Sequence, residues 1–405
     1  MRFDIEKHIN KSVERLGGKD YALAKVFQNS AYEWQGDYEG RCLLAFCNLH
    51  TLTDGKFDKD EELFKEIPSR LNEHGYFGTL TDSVTEEQRL AGHGWLLRGL
   101  VEYAKLHDDD TAIIMAKKIV KSLYFPVIDK LDFYKLGKDT TQGGVSGNNL
   151  TEEDGWRYSS DVGCLFISVD GLAEYYIATK DNDALTLINK LIEKYVRIDF
   201  VGKKMQTHAT LTALRGILRL YDETKNDKYL EIVKNVFETY VKYGMTATYC
   251  NFNWFGRENT WTEPCAIVDS MIIAVSLYKI TNDASYRTLA RRICFNGLTH
   301  SHRANGGAGP DSCVTPDSPV LKTEMYEAPF CCTMRYCEGL KYIYDNQEVF
   351  ADEDAVEKLK DGRTLIGDVL KVKESATGKE LLLTDVAFPD NDDTRYLVFE
   401  KEDDR

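Results

Sequence analysis

Leu172-Ala173-Glu174-Tyr175-Tyr176, followed by Asp181-Asn182-Asp183 and then by Leu185, Leu187, Ile188, Leu191 and Ile192, is the stretch that decides the fold. An apolar helix ends in Leu and Tyr, a short acidic turn follows, and a second helix carries apolar residues at intervals of three and four. The Asp or Asn after the turn is placed to cap that second helix. The same pattern recurs at Leu100-Val101-Glu102-Tyr103 before Asp108-Asp109-Asp110, at Leu220-Tyr221 before Asn226-Asp227, and at Leu277-Tyr278 before Asn282-Asp283. Weaker copies stand at Leu49-His50-Thr51-Leu52 before Asp54-Gly55 and at Leu340-Lys341-Tyr342 before Asp345-Asn346. Second helices are expected over Asp183 to Tyr195 and Asp227 to Tyr243.

About six helical hairpins with long Gly-rich and aromatic interruptions point to a mainly α chain closed into an (α/α)6 toroid; an open solenoid would show shorter and more uniform repeats. Strand character rises only after Gly362, at Thr364 to Val372, Glu380 to Val386 and Tyr396 to Lys401. The expected division is therefore a catalytic barrel over 1–350 and a short strand-rich tail over 351–405, packed on the barrel as a hairpin or three-stranded appendage.

Of the 405 residues 43% are hydrophobic, enough for a large core, and the formal charge of −15 leaves no basic excess to hold nucleic acid. The start, Met1-Arg2-Phe3-Asp4-Ile5-Glu6, lacks the basic and apolar character of a signal peptide, and no long uncharged apolar run suggests a membrane span. A cytoplasmic location with its ten cysteines reduced is expected.

Among those cysteines, Cys331 and Cys332 are adjacent, a spacing that disfavours a disulfide between them. Upstream, Trp261-Thr262-Glu263-Pro264-Cys265 offers a carboxylate and a third thiol. Three sulfurs and one oxygen suit zinc, and a metal-held thiolate is a nucleophile at neutral pH. On the residues alone a second reading stands beside this one: Cys265 and Cys332 as core thiols and Glu263 as a helix cap. Cys42, Cys47, Cys164, Cys294 and Cys337 lie among apolar neighbours and read as small core residues.

Aromatic residues beside carboxylates, amides and histidines are what a carbohydrate site needs, and several helix starts carry them. Trp34, Asp37, Glu39 and Arg41 form one such group; Gln88 and His93, Trp156 with Arg157 and Asp161, His208, Trp254 with Glu258, and His300 with His302 form the others. Each group reads equally as a helix cap or a satisfied interior polar residue. His50, His74 and His107 read as ordinary packing or helix-end histidines.

At the Glu263-Pro264-Cys265-Ala266 segment and at Cys331-Cys332 followed by Arg335, the chain resembles the beta-L-arabinofuranosidases of glycoside hydrolase family 127, over about residues 25 to 345. The resemblance implies an (α/α)6 barrel and Zn2+ held by Glu263, Cys265, Cys331 and Cys332. It also implies that Cys331 attacks the anomeric carbon with overall retention, while His93 and His208 resemble positions that hold sugar hydroxyls. Trp34, Asp37, Trp156, Trp254 and His302 are the further substrate-binding candidates.

The acid/base glutamate of the family would fall near Ala247, in Thr246-Ala247-Thr248-Tyr249-Cys250, which holds no carboxylate. Glu258 is the nearest substitute; Glu324, Glu327, Asp37 and Glu39 are the others. The family's β-sandwich domains are replaced by the short tail. The expected activity is a zinc-dependent retaining glycosidase acting on a small glycoside ending in beta-L-arabinofuranose. The rivals are a carboxylate-only toroid glycosidase or lyase, and a non-catalytic zinc-stabilised sugar-binding protein. Expected partners are a small carbohydrate and a second copy in a homodimer, with neither nucleic acid nor membrane.

Overall fold

The computed structural model describes residues 2–28, 34–80, 84–136, 151–323, 327–351, 353–389 and 393–399. Thirteen α-helices are described. The early ones are α1 (Ile5–Gly17), α2 (Leu23–Val26), α3 (Asp37–Leu52), α4 (Lys59–Arg70), α5 (Glu87–His107) and α6 (Asp110–Ile119). Then come α7 (Ser168–Thr179), α8 (Asn182–Tyr195), α9 (Thr207–Thr224) and α10 (Asp227–Tyr243). The last are α11 (Pro264–Thr281), α12 (Ala284–Arg292) and α13 (Cys332–Asp345). The chain divides into two compact units, one of Leu16–Thr239 and one of Met1–Arg15 with Tyr240–Arg405.

The hairpin turns repeat one piece of backbone chemistry. Asp108, Lys180, Lys225 and Asn282 end α5, α7, α9 and α11 in the left-handed conformation, at φ 52°, 58°, 54° and 56°. Each closes the helix with its own N–H on a carbonyl four residues back, those of Ala104, Tyr176, Tyr221 and Tyr278. The next helix opens on a side-chain cap. Asp109 accepts from Thr111 N, Asp181 from Asp183 N and Ala184 N, Asn226 from Lys228 N, and Asp283 from Ser285 N.

In the unit of Leu16–Thr239, α3, α5, α7 and α9 pack in succession and are buried nearly all round, while α8 is amphipathic and α4 and α6 bury only part of their surface. The crossings of these inner helices use glycine as a gap in the side-chain layer. A Cβ on Gly40 would lie 2.2 Å from the Leu96 backbone N, one on Gly171 2.1 Å from the Gly94 carbonyl oxygen, and one on Gly216 2.7 Å from Asp170 Cα. Polar groups caught between these helices are paired. Arg98 and Arg219 both hold Asp170, Arg219 and Lys105 hold Glu174, and the Arg219 Nε to Asp170 Oδ1 distance is 2.8 Å. Burial alone would raise the Asp170 carboxyl, but Arg98, Arg219 and Arg215 outweigh it and hold it well below the carboxylate range. A three-stranded sheet of β1 (Thr85–Glu86), β2 (Thr151–Glu153) and β3 (Trp156–Tyr158), in the order β1-β3-β2, also belongs to this unit.

In the other unit α11 packs against α12 and α13. By length and composition α11 could cross a membrane, yet here it is a core helix with Asp269 and Ser270 fully buried. Asp269 meets Arg335 of α13, and Ser276 Oγ meets Tyr342 Oη at 2.8 Å. The weak repeat at Leu340 to Asn346 has no second helix after it. Instead α1, from the start of the chain, lies beside α13, with His8 Nδ1 on Tyr336 Oη at 3.0 Å.

The strand-rich region is larger than a three-stranded appendage. It is a six-stranded sheet of β4 (Val320–Lys322), β5 (Val356–Lys358), β6 (Thr364–Ile366), β7 (Val369–Glu374), β8 (Glu380–Leu382) and β9 (Tyr396–Val398). The order is β4-β9-β7-β6-β5, with β8 also on β7. The β6–β7 turn is Gly367-Asp368, both at positive φ, as a two-residue hairpin loop requires. Asp368 also anchors the sheet to α12, at 2.7 Å from Arg291 Nε and 3.1 Å from Arg292 Nε.

Gly171→Ala is expected to destabilise the protein by about 3 kcal/mol, because its Cβ would meet backbone that cannot move aside. Gly17→Ala, where a Cβ meets nothing within 4 Å, is the control. Denaturant unfolding checks both: the midpoint falls for the first at unchanged slope and holds for the second.

Candidate active site

Glu263 and Cys331 occupy equivalent places in the chain, each the residue that opens a helix. Glu263 is the N-cap of α11, with extended backbone, and Pro264 presets the first helical turn. Cys331 is the N-cap of α13. Cys265 and Cys332 lie inside the first turns, so all four side chains gather at two helix N-termini, where the backbone dipole favours negative charge. One ligand atom from each of Glu263, Cys265, Cys331 and Cys332 lies within 4.8 Å of all the others. The Cys265 and Cys332 sulfurs are 3.8 Å apart and the Cys331 and Cys332 sulfurs 3.5 Å. Tetrahedral zinc–thiolate bonds place two sulfurs about 3.8 Å apart, so the spacing fits the ion that the donor set suits.

Cys265 and Cys332 are buried, whereas Cys331 is half-buried. Burial, followed by the neighbouring thiols of Cys265 and Cys331, pushes the Cys332 thiol well above its ordinary value. A divalent ion is what would hold such a group of sulfurs as thiolates.

The carboxylate is held from behind. Glu263 N donates to Asn251 Oδ1 at 2.7 Å. With its amide oriented to satisfy both neighbours, Asn253 donates to Glu263 Oε2 at 2.8 Å and accepts from Trp261 Nε1 at 3.2 Å. Sequence reasoning passed over Asn251 and Asn253 as ligand supports, although they lie in the polar stretch that leads into the Glu263 segment. Glu327 is wholly engaged: Arg15 Nε and Thr333 Oγ1 donate to Oε1 at 2.8 and 3.1 Å, and Asn305 donates to Oε2 at 2.7 Å. Glu258 lies exposed on the turn before Trp261, outside the four-ligand group. The window around Ala247 is a closed turn in which Thr246 Oγ1 accepts from Cys250 N at 3.1 Å. Glu324 lies outside the described residues.

Two more candidates share this unit. Trp254 is buried, edge-on to Trp261 at 5.5 Å, with Arg257 over its face at 4.6 Å. His302 is buried, with Nδ1 2.9 Å from His8 Nδ1 and Nε2 2.9 Å from the Gly306 carbonyl oxygen.

Within Leu16–Thr239 the remaining candidates fall into two places. The Asp37 carboxylate accepts from Arg41 Nε at 2.8 Å, the Arg41 guanidinium lies 4.1 Å from the Trp95 ring centre, and His208 stacks on Trp95 at 6.0 Å. Trp95, read in the sequence only as the start of an apolar helix, is thus the centre of a polar and aromatic cluster. His93 packs against Gly36; its Nδ1 donates to the Arg89 carbonyl at 2.8 Å and its Nε2 accepts from Phe77 N at 2.9 Å. Burial lowers the His93 pKa to about 3, so the ring is neutral. Trp34 caps the turn before α3, its carbonyl accepting from Asp37 N at 3.0 Å. Trp156 stands apart, in β3, packed on Tyr134 at 4.9 Å with Nε1 donating to the Lys130 carbonyl.

Glu39, on the first turn of α3, is buried, and its carboxyl is raised from 4.5 to about 8. Burial is the main cause, only partly offset by the backbone N–H groups of Glu39 and Gly36, with Asp37 adding to the rise. Glu39 is therefore a protonated carboxyl at neutral pH.

These observations stand beside three comparisons. Residues 7–343 match the beta-L-arabinofuranosidase, GH127 catalytic domain. The chain belongs to this family. Among curated proteins none matches it. A GH127 beta-arabinofuranosidase structure is similar at a TM-score of 0.55 and 13% identity, over 93% of this chain and 61% of that one. The GH127 beta-L-arabinofuranosidase of Geobacillus stearothermophilus T6 is similar at a TM-score of 0.50 and 13% identity, over 91% and 64%. A sugar epimerase from a ruminal bacterium reaches a TM-score of 0.56 at 11% identity, over 77% and 88%. The chain thus spans a little over three-fifths of those two GH127 proteins. The fold class is the (α/α)6 one expected, with a strand-rich C-terminal sheet.

Two measurements test the site and its surroundings. Asn253→Ala is expected to weaken divalent-metal affinity by about 10- to 100-fold, read by competition with a chelator. For Glu39 the folded pKa lies above the unfolded one, so its contribution is full below about pH 4.5 and is lost as pH rises through 8. Glu39→Gln removes this loss: from pH 5 to 8.5 the wild type should fall by about 3 kcal/mol relative to the variant in denaturant unfolding.

Proposed function

We propose that this chain is a zinc-dependent retaining glycosidase of the GH127 type with Cys331 as nucleophile, acting on small glycosides that end in beta-L-arabinofuranose. The observation that carries this reading is the convergence of Glu263, Cys265, Cys331 and Cys332 within 4.8 Å, in a chain that matches the GH127 catalytic domain. Two similar structures, both beta-arabinofuranosidases, support the substrate class. Glu263, Cys265, Cys331 and Cys332 would hold a zinc ion, which supplies a positive charge that keeps the Cys331 sulfur as a thiolate at neutral pH.

In the first step the Cys331 sulfur bonds to the anomeric carbon as the glycosidic C–O bond breaks, and Glu258 gives its proton to the leaving oxygen. In the second, the Glu258 carboxylate takes a proton from water, the water oxygen bonds to the anomeric carbon, and the C–S bond breaks. Two inversions give retention. The exposed ring of Phe330, beside Cys331, offers an apolar face to the C–H side of a sugar. Trp254 and His302 are the substrate-binding candidates in the same compact unit as Cys331. Ten free thiols support a reducing location such as the cytoplasm.

Turnover of an aryl beta-L-arabinofuranoside, with product configuration read by NMR, tests this. Cys331→Ser should lose on the order of 10⁴-fold in kcat or more, and Glu258→Gln should lose least on substrates with good leaving groups. Fully active protein after removal of all metal overturns the proposal.

A further inference from the structure

A second group of ligand-type side chains lies at the opposite end of α3 from Asp37 and Glu39. His50 is in the last turn of α3, Asp60 in the first turn of α4, and His107 is the final residue of α5. His50 Nδ1 is 3.1 Å from Asp60 Oδ1, and His107 Nε2 is 2.6 Å from Asp60 Oδ2. One ligand atom from each of the three lies within 4.8 Å of the others. The two rings stand nearly perpendicular, at 88° with centres 5.2 Å apart, so neither blocks the other's approach to the carboxylate.

Asp60 is fully buried, and among the described residues its ion-pair partners are the two imidazoles, with no lysine or arginine. A buried carboxylate requires a compensating positive charge. Both histidines keep part of their side chains in solvent. Tyr103 packs on the His107 ring at 4.4 Å and fixes its plane. The surroundings add negative charge: burial first, and then Glu61, Asp109 and Asp60, push the Tyr103 phenol up to about 12.

We propose that His50, Asp60 and His107 form a second divalent-cation site, separate from the cysteine cluster, that takes a borderline ion of the zinc class. Two imidazole nitrogens and one carboxylate oxygen match the three-ligand pattern of zinc sites that keep a further position for water. Nitrogen-rich donors without sulfur favour zinc, nickel or cobalt over magnesium or calcium. Binding displaces the protons shared between the rings and Asp60 and ties the ends of α3 and α5 to the start of α4. The site does not depend on the catalytic reading.

Cobalt(II) titration of the full chain tests it, because thiolate ligation gives intense charge-transfer absorption in the near ultraviolet and nitrogen–oxygen ligation does not. Expected is a bound cobalt with visible d–d bands alone, present in Cys332→Ser and absent in His107→Gln and in His50→Gln. Elemental analysis after dialysis against micromolar zinc should show one ion fewer per chain in either histidine variant than in wild type. Circular dichroism establishes that the variants fold. If they do not, the wild type and Cys332→Ser still decide, since a spectrum confined to thiolate-bound cobalt, or none in Cys332→Ser, overturns the site. Equal metal content in wild type and folded histidine variants also overturns it.

Discussion

Two backbones touch where Gly94 of α5 meets Gly171 of α7, and the inner helices depend on contacts of this kind. At such a distance no side chain fits between the helices, so the residues around each crossing are sealed from water on every side. A helix in that position cannot send its polar groups to solvent. They must find each other, and Asp170 and Glu174 do so through Arg98, Arg219 and Lys105. The next helices of the hairpins carry the opposite requirement, an apolar stripe inward and charge outward. That division is why one half of each repeat reads as nearly continuous apolar sequence and the other as a periodic one.

The four-ligand cluster follows a related logic at a different place. Thiolates and a carboxylate repel one another, and burial worsens each of them. Two helix N-termini reduce that cost, and the amide of Asn253 fixes the one ligand that could otherwise turn away. Of the three cysteines Cys331 alone is half-buried, and the other two are closed off from solvent.

Local chemistry was readable in advance. The Asp and Asn caps of α6, α8, α10 and α12 stand where the repeat placed them, although α4 opens without a side-chain cap, and α8 and α10 match the expected second helices to within a residue. The clustering of Glu263 and Cys265 with Cys331 and Cys332, though 66 residues separate Cys265 from Cys331, was recognisable because both segments carry rare pairs. What escaped was long-range. Nothing in Ile5–Gly17 announces that it packs against α13, and neither Val320–Lys322 nor Val356–Lys358 has a periodicity long enough to read as a strand. Trp95 looked like one more apolar residue, because its cation and its histidine come from other helices. Asp60 drew no notice for the same reason: its partners lie ten residues before it and 47 after.

The pairing of β4 with β9 has a consequence for how the protein is made. Val320 to Lys322 lie ahead of Cys331, and among the described residues their ladder partner is Tyr396 to Val398. On a translating ribosome the cysteine pair would emerge long before that partner strand. Val320 to Lys322 therefore stay unpaired until Tyr396 to Val398 have cleared the exit tunnel, so a nascent chain stalled before residue 396 would carry Glu263, Cys265, Cys331 and Cys332 without that strand pairing.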